Sequence, residues 1–146
     1  MQDLTQTWLE QAALPELALR NKINSGEATY QQVEQVLSDG RGKGILDKIR
    51  YSFDTLKSIL LQAQHDQAFY LILLLEKDIV DQETGQRGYL VTGRNEFLQP
   101  FEDGQQAMQR NFSQLKSIIS ASFDKKQVLN DIETLRLKSI EWENLA

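Results

Sequence analysis

The chain has 146 residues, 40% of them hydrophobic and 25% charged, which suits one ordinary domain and not a disordered segment. Its 21 acidic and 16 basic side chains give a net charge of −5, so we expect no nucleic-acid partner. Cysteine is absent and His65 is the single histidine, which argues against a disulfide, a thiolate site or a His-rich metal centre. We therefore expect no metal and no cofactor.

The N-terminal third has the three- and four-residue apolar spacing of amphipathic helices. Pro15 either kinks the first helix or begins a new one at its first turn. Thr29 and Gln32 have the spacing of a capping box, which predicts that a short helix starts there. The glycine-rich segment 39–44 that follows is predicted to be a flexible loop.

One long stretch of apolar periodicity dominates the centre of the chain, from Gly44 to Val91. As a single helix it would be about 70 Å long at 1.5 Å per residue. Its polar segment 62–67 is where we place a bend, if there is one. Segment 69–75 is apolar on all sides, so we expect other helices to enclose it.

The C-terminal part continues the helical pattern. Pro100 opens another long helix, and Asp124 with Gln127 predicts the cap of a last helix that Trp142 lines. Nowhere do β-branched residues alternate between turn signals, as they would in strands. The predicted fold is all-α, an elongated bundle of the four-helix type organised on the long helix 44–91.

A dense motif ends the long helix, and its residues are Asp81, Glu83, Thr84, Gly85, Arg87, Gly88, Tyr89, Leu90, Thr92 and Gly93. Glu83 and Arg87 are four residues apart, so we expect them to pair with each other or with neighbouring helices. Gly85 and Gly88 are three apart and predict a face on which another helix packs closely. Gly93 is predicted to end the helix in the left-handed conformation.

This motif, with the segment 96–101 after it, resembles the signature of the third subgroup of CHASE domains. The resemblance is specific over residues 71–101 and looser elsewhere. It implies a helical sensory domain, periplasmic or extracellular, of a bacterial chemoreceptor, sensor histidine kinase or cyclase. Membrane contact would then come only through segments outside this chain, since no run here is apolar over the roughly 18 residues of a span. The resemblance implies no particular ligand, so a small molecule and a periplasmic protein both remain open.

The order of the segments differs from that of the family. Residues 1–65 resemble the second half of a sensory module and residues 66–146 the first half of the next. Each half would leave an apolar stripe bare on a straight central helix. Either the helix breaks near 62–67 and the chain closes as a monomer, or the helix stays straight and two chains pair. We favour the straight helix and a homodimer.

Other chemistry finds little support in the sequence. Segment 40–44 lacks the spacing and the preceding strand of a phosphate loop. Asp78, Asp81 and Glu83 predict a solvated acidic face, and His65 a surface histidine. No serine or threonine lies in a motif that would activate it, so we expect no enzyme. The alternative to a sensory domain is a structural or scaffolding bundle without a ligand.

Overall fold

The computed structural model describes residues 2–121. Its helices are α1 (Gln2–Trp8), α2 (Leu14–Asn24), α3 (Tyr30–Asp39), α4 (Arg41–Gln62), α5 (Asp66–Thr92) and α6 (Leu98–Ala121), with a π-helical turn at Leu9–Ala13 and a 3-10 turn at Asn95–Phe97. The described residues contain no strand, so the prediction of an all-α bundle is confirmed. The predicted cap at Asp124 and the helix lined by Trp142 lie outside the described residues.

Pro15 lies in the first turn of a new helix, α2, which starts at Leu14, so the second of the two predicted alternatives is confirmed. A proline cannot donate the backbone hydrogen bond of the preceding turn, and its ring crowds that turn. The π-helical turn Leu9–Ala13 absorbs this defect, because the Leu14 N–H donates to the Leu9 carbonyl five residues back. α1 and α2 therefore follow one another without a loop.

The expected flexible loop 39–44 is wrong. The capping box at Thr29 and Gln32 forms as predicted, with the Thr29 N–H donating to Gln32 Oε1 at 3.2 Å. α3 then continues to Asp39, and α4 begins at Arg41 after a single linking residue, Gly40, at φ +65°. One left-handed glycine separates the two helices, because glycine adopts that conformation without a Cβ clash.

The prediction of a straight helix over 44–91 is also wrong, because α4 ends at Gln62 and α5 begins at Asp66. The break falls in the polar segment 62–67, where a bend was predicted. Gln64 takes a left-handed φ of +56°, and His65 caps α5 by accepting from the Ala68 N–H at 3.4 Å. Folding back buries the apolar stripes of both helices in one core, which a straight helix would leave in water.

The core lies between α1–α2, α4, α5 and α6. Trp8 is almost fully buried, and its ring lies 6.4 Å from that of Phe101, which joins α1 to α6. Largest among the other enclosed side chains are Phe53, Ile49, Ile72, Leu75, Leu90 and Tyr89. The expected enclosure of 69–75 is wrong in part, because Tyr70 and Leu73 face solvent.

Two glycines near the start of α4 test the single-residue link. A Cβ at Gly40 or at Gly44 would meet nothing within 4 Å, so alanine at either position changes only backbone energetics. We expect Gly40→Ala to destabilise by about 1 kcal/mol, the cost of a left-handed L-residue. Gly44→Ala should stabilise by about 0.5–1 kcal/mol, as in a helix interior. Thermal or urea unfolding measures both, and equal effects would contradict the helix start at Arg41.

Candidate functional site

The motif 81–93 occupies the last three turns of α5 and the residue that caps them. In this part of α5, α6 approaches closely. A Cβ on Gly85 would lie 2.6 Å from the Phe97 carbonyl oxygen and 2.8 Å from the Phe101 amide nitrogen. Those atoms are backbone and cannot rotate away. A Cβ on Gly88 would collide with the Phe97 ring. The prediction that both glycines face a packed helix is confirmed.

A third glycine, which the sequence analysis missed, extends this contact along α6. A Cβ on Gly104 would lie 2.9 Å from the Asp78 carbonyl oxygen and 2.7 Å from Gln82 Cγ. Gln82 is itself buried and donates to Met108 Sδ at 3.4 Å. We name the contact of Gly85, Gly88 and Gly104 the glycine interface.

The end of α5 is tied to the end of α2 by polar side chains. The Tyr89 hydroxyl, on a side chain only 2% exposed, donates to Asn21 Oδ1. Asn24 Nδ2 donates to the same hydroxyl at 3.3 Å and to the Gly93 carbonyl oxygen at 3.2 Å. Gly93 has φ +71° and its N–H donates to the Tyr89 carbonyl, so the predicted left-handed cap is confirmed.

Glu83 forms an ion pair with a residue of a neighbouring helix, which is one of the two predicted alternatives. Its carboxylate lies 2.7 Å from Arg50 Nη2 of α4. Arg87 is exposed and makes no ion pair with another described residue; its charge acts instead on Glu16 of α2. Asp81 pairs with Lys77 at 2.8 Å on the outer face of the same helix.

The remaining signature residues are divided between core and surface. Leu90 is buried, whereas Thr84 is exposed. The Thr92 hydroxyl donates to the Gly88 carbonyl at 2.7 Å and accepts from the Arg94 N–H. This hydroxyl therefore reinforces the helix end that Gly93 closes.

The expected solvated acidic face is wrong at Asp78. This side chain is 5% exposed, and its Oδ2 accepts from Asn111 Nδ2 of α6 at 2.7 Å. Burial raises the pKa of the Asp78 carboxyl, and the hydrogen bond from Asn111 opposes that rise. Residues 2–121 hold no cluster of His, Cys, Asp or Glu able to bind a metal ion.

A cavity of about 90 Å³ opens between α2, the α3–α4 link and the signature turns of α5. Four charged side chains line it, Glu16, Lys43, Glu83 and Arg87. The other lining residues are Trp8, Val36, Leu37, Gly40, Gly42, Leu46, Gln86 and Leu90. Three of the signature residues therefore contribute to this cavity, namely Glu83, Arg87 and Leu90.

Glu16 is the most perturbed carboxyl group in the cavity. Burial raises its pKa from 4.5 to about 7, and the nearby Arg87 charge opposes part of the rise. Gln86 Nε2 donates to Glu16 Oε2, and a Cβ on Gly42 would lie 3.9 Å from Glu16 Oε1. Glu16 follows Pro15 in sequence with no motif around it, so the sequence analysis could not identify it. Gln86 was detectable as a polar residue on an apolar face of α5.

Comparison with known proteins shows the family to which the chain belongs. The family model of the CHASE3 domain matches residues 63–144, more than half of the chain. The chain therefore belongs to the CHASE3 family, whose members are extracellular sensory domains of receptors. Searches of curated proteins and of solved structures each returned no match. No helix in the described range is long and apolar enough to cross a membrane.

The match begins in the turn between α4 and α5. The division into a second module half, 1–65, and a first module half, 66–146, stays a prediction. That the signature residues have a functional role likewise stays a prediction.

The glycine interface generates a stability prediction. Gly85→Ala adds one methyl group against the backbone of Phe97 and Phe101, so α6 must move away. We expect a loss of about 1–3 kcal/mol, as overpacking usually costs. Gly44→Ala is the matched control, because the same change there meets open space and should stabilise. Thermal melts compare the two variants; a Gly85→Ala melting temperature equal to or above wild type would contradict the close packing.

Proposed function

We propose that this chain is the periplasmic or extracellular sensory segment of a bacterial transmembrane receptor, and that it signals by a small shift of α2 relative to α5 and α6. The observation that carries the proposal is the contrast between the two contacts of α5. Helix shifts of about 1–2 Å at an interface are an established means of signal transfer. The proposal assigns the domain no catalytic step.

The α5–α6 contact supports the fixed part of this mechanism. A Cβ on Gly85 would lie 2.8 Å from the Phe101 amide nitrogen of α6, and a Cβ on Gly104 would lie 2.9 Å from the Asp78 carbonyl oxygen of α5. Close packing of this kind leaves two helices little freedom to slide, since tightly packed interiors are stiff. α5 and α6 would therefore move as one unit.

The α2–α5 contact supports the movable part. Around Tyr89 it includes hydrogen bonds to Asn21 and Asn24, and around Gln86 one hydrogen bond to Glu16. A net contribution of about 1 kcal/mol per hydrogen bond makes such a contact adjustable. A stimulus that favours one arrangement of these groups would shift the population of the two states.

The cytoplasmic output is proposed to be that of a chemoreceptor, a sensor histidine kinase or a cyclase. The stimulus would be a small molecule or a periplasmic protein. The competing proposal, a structural bundle without a ligand, gives the polar α2–α5 contact no role beyond stability.

We further propose that two copies pair along the outer face of α5. Its residues at heptad spacing are Tyr70, Leu73, Lys77, Val80, Thr84, Arg87 and Val91. The four apolar members of this stripe are between 40% and 60% exposed, over a length of about 32 Å. Seven-residue apolar spacing is the pattern that coiled-coil partners bury.

A second copy suits this stripe better than an unrelated helix. Copies of a receptor enter the same membrane, so their α5 helices would run parallel and each residue would meet its own counterpart. Lys77 already carries a neutralising partner, Asp81, at 2.8 Å. This pair lowers the repulsion between two Lys77 side chains at the axis.

The signalling proposal predicts that Tyr89→Phe changes receptor output. The full chain is placed between the transmembrane helices of a bacterial sensor kinase, and kinase output is measured in cells. Removing the Tyr89 hydroxyl loosens α2 from α5 and should change basal output by about twofold or more. Tyr51→Phe is the matched control, since that ring is 66% exposed on α4, away from both the α2–α5 contact and the outer face of α5. Unchanged output for both variants, at equal membrane levels, would favour the structural alternative.

The pairing proposal predicts a disulfide at Val80. The natural chain has no cysteine, so Val80→Cys creates a single thiol at the middle of the stripe. Mild oxidation should yield a covalent dimer, because parallel copies bring the two positions together. Lys22→Cys, on the exposed side of α2, is the control and should stay monomeric. A concentration-independent monomer by light scattering, with no Val80→Cys cross-link, would contradict pairing.

A further inference from the structure

We propose that the cavity between α2, the α3–α4 link and α5 binds a small zwitterion, a molecule of α-amino acid size with one ammonium and one carboxylate group. The inference rests on the proposed sensory function and names the chemical class of its stimulus. The observation that carries it is that side chains of both charges line one cavity without forming ion pairs with one another.

The ammonium end is assigned to Glu16. Among the described residues no basic side chain forms an ion pair with it, although the side chain is largely withdrawn from water. Its Oε2 accepts from Gln86, while its Oε1 lies near the Gly42 wall of the cavity. Arg87 acts on this carboxylate through its charge but forms no ion pair with it, so an ammonium group that enters the cavity and contacts Glu16 gains a strong partner.

The carboxylate end is assigned to Lys43 and Arg87. Both line the cavity, and neither forms an ion pair with another described residue. The fourth charge, Glu83, is neutralised by Arg50 at 2.7 Å. A bare amine would therefore meet two unpaired cations, and a bare carboxylate would leave Glu16 without a partner. Only a ligand with both charges complements the whole set.

The size and walls of the cavity limit the rest of the ligand. Its volume of about 90 Å³ is roughly three times the space of a water molecule in liquid water. Val36, Leu46 and Leu90 give it an apolar side suited to a small aliphatic group. The ligand would contact α2 through Glu16 and α5 through Arg87, so it would act on the polar α2–α5 contact directly.

Titration calorimetry on the full chain tests the assignment with three matched probes. L-Alanine carries both charges, ethylamine only the ammonium and propionate only the carboxylate. We expect saturable binding of L-alanine and at least tenfold weaker binding of the other two. Glu16→Gln and Arg87→Gln should each weaken alanine at least tenfold, whereas Glu10→Gln, an exposed change, should not.

The pH dependence provides an independent readout of Glu16. Its carboxyl has a raised pKa of about 7, so the proton must leave before an ammonium group can pair with it. Affinity for alanine should rise about tenfold per pH unit below pH 7 and level off above it. In Glu16→Gln the remaining affinity should not change with pH.

Two results would overturn the inference. Propionate binding as tightly as alanine, with Glu16→Gln unaffected, would show an anion site instead. No saturable heat from any probe would show that the cavity takes no such ligand. If the Tyr89→Phe receptor still changes its output in that case, the sensory function stands and only the ligand assignment fails.

Discussion

The contact between the backbones of α5 and α6 is the constraint on which the rest of the molecule depends. Gly85 and Gly104 allow the backbone of each helix to approach the other closely, and Gly88 leaves room for the Phe97 ring. With α6 held this closely, Phe101 reaches the ring of Trp8 and joins α6 to α1. The absence of a Cβ at these three glycines therefore sets how closely α6 lies against α5.

The contact of α5 with α2 is of a different kind. It includes hydrogen bonds from Tyr89 and Gln86, beside a cavity lined by charged side chains. Directional polar contacts can be exchanged for ligand contacts at little net cost, whereas steric contacts cannot. Arg87 lines the cavity and also belongs to the outer stripe of α5, so it connects the proposed ligand site with the proposed dimer.

The sequence was a good guide wherever the determining interaction is local. The capping box at Thr29 and the left-handed cap at Gly93 depend on residues within one helical turn, and both are present. The close packing at Gly85 was predictable because glycines at this spacing in a helix indicate another backbone nearby. Glu16 and Gly104 were not predictable, since their roles come from residues distant in sequence.

The sequence by itself therefore determined the helical fold, the helix caps at Thr29 and Gly93 and the family to which the chain belongs, because periodicity, caps and a local motif encode them. Only the tertiary structure decided that the chain breaks at 62–67, since burying both apolar stripes in one core outweighs a few helical hydrogen bonds in polar residues. It also decided the burial of Asp78, which has the sequence environment of a surface carboxylate. Burial is a property of neighbours from other helices, and Asn111 on α6 supplies the partner that makes it tolerable.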